Sequence, residues 1–182
     1  MTPAPTLTTS RLILRGPQKR DLAPFTKWLT ESERMDQLGG NDTVGNAWRG
    51  FLAGIGHWNW HGYGFFTVTE RRTGVATGRV GILNHVEWPQ PELAWHMFDG
   101  FEGRSYAFEA ACAVRDWAGR TLGLEPLISL IAPGNTRSLA LATRLGCVEE
   151  GREMVQDEAV IMFRHLRHDD PRAEAQAAGA IA

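Results

Sequence analysis

Two stretches of this 182-residue chain place reactive residue types at a spacing that can do chemistry. The first is Glu92-Leu93-Ala94-Trp95-His96-Met97-Phe98, which runs into Asp99-Gly100-Phe101-Glu102-Gly103-Arg104-Ser105-Tyr106-Ala107. It reads as a strand, a tight glycine-containing loop and the start of a helix. Such a junction suits an anion, because the first N–H groups of a helix lack internal partners and the helix dipole favours negative charge. Each contact is modest, roughly 0.3–1 kcal/mol and ~2 when partly buried. Several amides closing on one pyrophosphate add up, yet many strand–loop–helix units bind nothing. The second stretch is Gly134-Asn135-Thr136-Arg137-Ser138, continuing through Leu145-Gly146-Cys147 to Glu150-Gly151. Asn135 is placed to cap a helix, Ser138 follows one turn later, and Gly146 stops it.

The elements that must position these residues follow from periodicity. Arg11–Arg15 is a short strand closed by Gly16-Pro17. From Gln18 to about Leu38, Leu22, Phe25, Trp28 and Leu29 recur at helical steps, and Gly39-Gly40-Asn41-Asp42 ends the run. A second helix is expected over Thr43–Trp60, weakened by Gly45, Gly50, Gly54 and Gly56. Gly64–Thr69, Ala76–His85 and Glu92–Phe98 are strand-like. Ala107, Ala110, Ala111, Val114, Trp117 and Ala118 trace one face of a helix over Arg104–Thr121. Leu127–Ile131 is a buried strand, Asn135–Leu145 a helix, and Val148–Met154 and Glu158–Leu166 two further strands. With no internal repeat and no linker, the expected division is a loose lead-in over 1–8, one mixed α/β domain over 9–168 and a mobile Ala/Gly-rich tail over 169–182.

Order and spacing of the motifs carry a family likeness across roughly residues 9 to 166. The chain resembles the GNAT acyltransferases, in particular the ribosomal-protein N-terminal (alanine/serine) acetyltransferases. There an Asn-x-x-Ser helix ends in Leu-Gly-Phe and a Glu-Gly follows; here Cys147 takes the aromatic place. Tyr106-Ala107-Phe108-Glu109-Ala110 is similar to that subgroup's Tyr-Ala-x-Glu-Ala helix start, and Thr9-Ser10-Arg11-Leu12-Ile13-Leu14-Arg15 to its first strand. The likeness implies an α/β (α+β) GNAT fold: a mixed, mostly antiparallel sheet with splayed strands and flanking helices. It implies acetyl-CoA as cosubstrate and no metal. The backbone of Trp95–Phe98, with Met97 and Phe98 at its end, would pair with the pantetheine arm. Gly103, Arg104, Ser105, Tyr106 and Ala107 would hold the pyrophosphate, while Asn135 and Ser138 would line the thiol end. Glu102 and Ser105 depart from the usual pattern, where Gln, Arg or Trp and then Gly stand.

Acetyl transfer to an amine needs an uncharged nitrogen, a polarised thioester and a proton for the departing thiolate. Glu92 is the candidate general base, acting through a water, against a reading as a plain strand-edge carboxylate. His96 shares its strand face and is the second candidate, against a packed core histidine. Glu87, Glu92, Asp99 and Glu102 lie between Arg79 and Arg104 with no Lys or Arg among them, which suits a cationic acceptor; ordinary solvated loop charges are the other reading. Where many relatives carry an acidic tyrosine this chain has Ala142, so Ser138 becomes the candidate proton donor, with solvent as alternative. Trp48, Phe51, Trp58, Trp60, Tyr63, Phe65 and Phe66 read as core, or in part with His57 and His61 as walls of an acceptor groove.

The preferred acceptor is the α-amine of a peptide or protein N-terminus. The alternatives are a small-molecule amine such as an antibiotic or polyamine, and a non-catalytic acyl-CoA-binding module. The net charge of −2 gives no basic excess for nucleic acid. No apolar run approaches the ~20 residues that span a bilayer, and the N-terminus lacks a signal-peptide pattern. Cys112 and Cys147 have no metal-like spacing and read as reduced buried thiols in a cytoplasmic protein; a homodimer is admitted.

Overall fold

Alternating apolar residues build an eight-stranded sheet with strand order β1-β2-β3-β4-β5-β6-β8-β7. The computed structural model describes residues 4–38 and 40–181. Met1-Thr2-Pro3 of the expected lead-in and Gly39 of the expected break lie outside the described residues. The strands are β1 (Leu7–Thr8), β2 (Leu12–Arg15), β3 (Phe65–Glu70), β4 (Ala76–Leu83), β5 (Glu92–Met97), β6 (Ile128–Ile131), β7 (Val148–Val155) and β8 (Glu158–Arg164). The helices are α1 (Leu22–Glu31), α2 (Val44–His61), α3 (Tyr106–Trp117), α4 (Thr136–Arg144) and α5 (Pro171–Ile181). Pairing is antiparallel except between β5 and β6, which run parallel and meet at one register point, Glu92 opposite Ile128. Beyond that point the two strands part. The mostly antiparallel sheet with a splay matches the expected architecture.

Strand alternation divides the core in two. Leu12, Leu14, Phe66, Val80 and Leu93 face α3, whose Ala110, Ala111 and Val114 are fully buried. On the other face Phe25 and Trp28 of α1 pack with Phe51 of α2 and with Phe98. Two motifs noted in the sequence meet here. Glu109 of α3 accepts hydrogen bonds from the Thr9 hydroxyl at 2.5 Å, the Arg11 N–H at 2.9 Å and Arg11 Nε at 2.7 Å. That contact fixes the N-terminal end of α3 against the first strands.

Several boundaries differ from expectation. The run from Gln18 is not one helix: α1 ends where Ser32 turns extended (φ −75°, ψ 127°), and a 3-10 segment follows over Glu33–Leu38. Ser32 leaves the helix to donate its hydroxyl to Asp99 at 2.7 Å. The four glycines do not break α2, because Thr43 caps it through Asn46 N–H and tertiary packing buries Ala47, Phe51 and Trp58. The lead-in is partly strand, since Leu7 and Thr8 pair with Leu14 and Ile13. The expected loose tail is corrected as well. Pro171–Ile181 forms α5, whose Ala173, Ala177 and Ala180 are buried, a small-residue stripe that lets the helix approach α3 closely. Both cysteines are free, Cys112 buried and Cys147 half-buried.

Candidate active site

The splay between β5 and β6 opens a cleft of about 980 Å³, running from Glu92 at the closed end to the Gly103–Ala107 loop. Leu93, Trp95 and Met97 turn toward the α3 core, while His96 turns toward α1 and packs against Trp28, ring centres 5.1 Å apart and tilted by 38°. Glu92 is buried where the strands part. Its Oε1 accepts the Leu130 N–H of β6 at 3.0 Å and its Oε2 accepts the Trp88 indole N–H at 2.5 Å. Burial pushes its carboxyl up to about 7, and the two hydrogen bonds pull only partly back. A carboxyl poised near neutrality in a cleft is the electrostatic setting a general base needs.

The splay point is itself tied. Ser129 of β6 donates its hydroxyl to the Leu93 carbonyl of β5 and stands 2.9 Å from His165 Nε2. Burial drives His165 down to about 3, so its ring is neutral. With Ser129 already donating, Nε2–H is the donor to Ser129, and Nδ1 accepts from the Cys147 thiol at 3.3 Å. Cys147 thus fills the aromatic place with a hydrogen-bonding side chain.

At the open end two residues of the loop, Gly103 and Ser105, are shaped for a bound group. Gly103 has φ +70° and Ser105 φ +62°, so the chain turns left-handed before α3 begins at Tyr106. Ser105 makes no side-chain cap, which leaves the first N–H groups of α3 without an internal partner. The Ser105 hydroxyl instead accepts from Arg144 Nη1 of α4 at 2.8 Å, and that guanidinium lies 4.0 Å over the Phe108 ring. Arg137 and Arg144 both line the cleft, and Arg144 reaches the loop through Ser105. Single-position reading missed them, although their spacing of seven was in the sequence. Glu102 does not add an uncompensated charge near the loop. Arg34 holds it at 3.1 Å and also bonds Asp99 and the Met97 carbonyl, each at 2.7 Å.

Of the residues marked in the sequence, Glu92, Met97, Gly103, Ser105, Tyr106 and Ala107 line this one cleft, as do Asn135 and Ser138. Two do not. Phe98 is buried against Trp28 at 5.9 Å, because alternation turns it into the α1 core. Arg104 points outward over Phe101, and its carbonyl accepts from Arg11. Tyr106 contributes backbone rather than ring, its hydroxyl being committed to Glu70 at 2.7 Å. Ser138 N–H is the group that Asn135 caps, at 3.1 Å, while Ser138 Oγ accepts the Trp95 indole N–H at 3.2 Å. Ala142 does not face the cleft. It is fully buried among Ile131, Ile161 and Phe163, so a tyrosine there would overpack this cluster. His96 is a packed, neutral ring: burial and the neighbouring Arg79 hold its pKa well below 6.5, and Nδ1 accepts Arg79 Nε–H at 2.9 Å. The acidic window is largely internal, since Asp99 and Glu102 pair with Arg34 and Glu87 accepts from Gln156. Of the aromatic segment, Phe51, Trp58, Tyr63, Phe65 and Phe66 are buried, whereas Trp48 and Trp60 are exposed.

Comparison with known proteins adds to this geometry. A family described as the acetyltransferase (GNAT) domain matches residues 11–148. The acetyltransferase from Agrobacterium tumefaciens str. C58 is 33% identical over 92% of this chain and 97% of its own, with TM-score 0.83. A protein from Vibrio cholerae assigned as a ribosomal-protein-serine acetyltransferase is 25% identical over 91% of this chain and 99% of its own, with TM-score 0.76. RimJ of Mycobacterium smegmatis, solved with CoA-disulfide, shares the fold at 18% identity and TM-score 0.72, covering 95% of this chain and 93% of its own.

Proposed function

We propose from a plain premise, that the chain belongs to the GNAT acetyltransferase family, that it moves acetyl from acetyl-CoA to the α-amine of a peptide or protein N-terminus. The single observation that carries this reading is Glu92, a carboxyl held at about 7 at the closed end of a cleft whose open end is a helix N-terminus. The residues present fit an acyl-CoA. The unpartnered amides at the start of α3, with Arg137 and Arg144 beside them, suit its phosphates, and the parted edges of β5 and β6 offer backbone groups to its arm.

Bound, acetyl-CoA supplies the thioester that the amine attacks: a C–N bond forms, the C–S bond breaks, and sulfur leaves as thiolate. Glu92 accepts the amine proton through a water. Ser138 passes its hydroxyl proton to the thiolate as it takes one from solvent; its oxygen accepts from Trp95, which leaves its own hydrogen free to donate. A base near 7 suits an α-amine. At pKa 7.7–8.0 such an amine is about one-tenth to one-sixth neutral at pH 7, whereas a lysine near 10.4 is neutral in roughly one part in 2,500.

The test is an acetyl-CoA turnover screen over N-terminal peptides, aminoglycosides and polyamines, alongside thermal melts with CoA. Peptide turnover together with a CoA-dependent rise in melting temperature is expected. Turnover confined to polyamines or aminoglycosides overturns the acceptor. Folded protein with no shift at millimolar CoA overturns the cofactor site.

A further inference from the structure

On the α1/α2 side of the sheet, next to His96, lies a second recess of about 30 Å³, room for one small polar group. Phe25, Phe51, Phe65 and Phe98 wall it, and Gly50 and Gly54 of α2 face it. A methyl group built on either glycine would meet no atom within 4 Å, so this stretch of helix leaves space open. Arg79 of β4 also lines the recess. Its guanidinium sits between Phe25 at 4.5 Å and Phe65 at 4.3 Å. Its Nε–H donates to neutral His96. Its four terminal N–H groups have no hydrogen-bond partner, and no carboxylate lies within ion-pairing distance, among the described residues. Desolvation alone holds its pKa down to about 9. The other charge on the recess wall is already answered: Asp21 is bound by both Nη atoms of Arg15 at 2.7 and 2.8 Å, by Gln18 N–H and by the Thr67 hydroxyl.

Arg79 is half-buried, held by cation–π contact with the two rings and by the imidazole that accepts from Nε–H, yet no anion answers its charge among the described residues. Its terminal nitrogens are not sealed from solvent and offer a planar fork of donors matched to a carboxylate. The recess adjoins the cleft through His96, which lines the one and bonds the cation in the other. We propose that Arg79 anchors a carboxylate subsite, and that acceptors of this enzyme carry a carboxylate as well as the amine. The proposal rests on the amine-acetylating reading above and narrows its substrate class to zwitterionic amines, acidic peptides among them.

Two measurements test it. In the first, melting temperature is followed with acetate and with acetamide at matched ionic strength, which needs no turnover. Acetate is expected to stabilise the protein, acetamide not, and the difference to vanish in Arg79→Met and in Arg79→Gln. The second compares acceptor pairs that differ only by carboxylate against carboxamide. The carboxylate member is expected to lead by roughly 10-fold or more in kcat/KM, the usual weight of one charge-assisted pair. That ratio falls to about one in Arg79→Met, whatever the overall rate, and is partly kept in Arg79→Lys. Equal effects of acetate and acetamide on the wild type overturn the subsite, as does a ratio near one in the wild type; acetyl transfer to amines would stand in either case. A ratio unchanged in Arg79→Met shows that any carboxylate preference arises elsewhere, and that too overturns it.

Discussion

Replacing Glu92 by Gln removes the titrating carboxyl; the single amide oxygen can accept from Leu130 N–H or from the Trp88 indole, and its NH2 then faces the other donor. Activity and stability respond separately. Losing a general base costs turnover, roughly 10- to 10⁴-fold in kcat/KM, with CoA affinity unchanged because Glu92 touches no part of the phosphate loop. Stability responds through linkage. The Glu92 carboxyl titrates at about 7 in the folded chain against 4.5 for the unperturbed group. The folded state therefore binds the proton more tightly, a contribution of about 3 kcal/mol. That stability is fully present below about pH 4.5 and is lost as pH rises through about 7. Glu92→Gln lacks this dependence, so its melting temperature varies less between pH 5 and 8 than that of the wild type. The assay is kcat/KM from pH 5.5 to 9 with matched melts. The wild-type rate should rise with pH through about 7, and in the variant the remaining acid limb should move to the pKa of the acceptor amine, about 7.7–8.0. A variant with wild-type kcat/KM and an unmoved limb refutes Glu92 as base. A variant with the full wild-type pH dependence of stability refutes the buried, raised carboxyl itself.

Further outcomes follow from the same geometry. Ser105→Gly relieves a left-handed φ of +62°, worth about 1–2 kcal/mol, and opens the amides to phosphate; melting temperature and CoA affinity by calorimetry should both rise. Weaker CoA binding in that variant would show that the Ser105–Arg144 bond matters more than access. Arg144→Ala should weaken CoA by about 10-fold or more, a lost charge-assisted contact, and an unchanged dissociation constant would remove Arg144 from the phosphate site. Ser138→Ala should lower turnover while melting moves by no more than about 1 kcal/mol, since Asn135 caps through the backbone N–H and only the Trp95 indole loses a partner. Normal turnover with reduced stability would leave Ser138 a packing residue.

Local pattern was enough to place β2 to β8, α3, α4 and the loop between β5 and α3, because alternation and helical spacing are properties of neighbouring residues. The same holds for the Asn135 cap and the Gly146 stop; that Glu92, Ser105 and Ser138 belong together was implied by the family resemblance, and the three line one cleft. Local pattern was not enough for α5, an Ala-rich segment that also holds Pro171, Arg172, Glu174, Gln176 and Gly179 and whose order comes from burial of Ala173, Ala177 and Ala180. Nor could it break the first helix at Ser32, since the reason is Asp99, a residue remote in sequence.

The amino-acid order by itself determined which residues are candidates: a carboxylate opening a strand, a tight glycine-containing loop before a helix, a capped helix with a serine one turn in. Tertiary structure alone decided their states. Glu92 is held at about 7 because burial where β5 and β6 part outweighs the hydrogen bonds from Trp88 and Leu130. His96 is uncharged because Arg79 and its aromatic neighbours surround it. Arg79 itself is an ordinary arginine in the sequence and becomes an unpaired cation only where Phe25 of α1 and Phe65 of β3 close on it. Protonation and pairing depend on desolvation and on charges brought from elsewhere in the chain, and no local pattern encodes either.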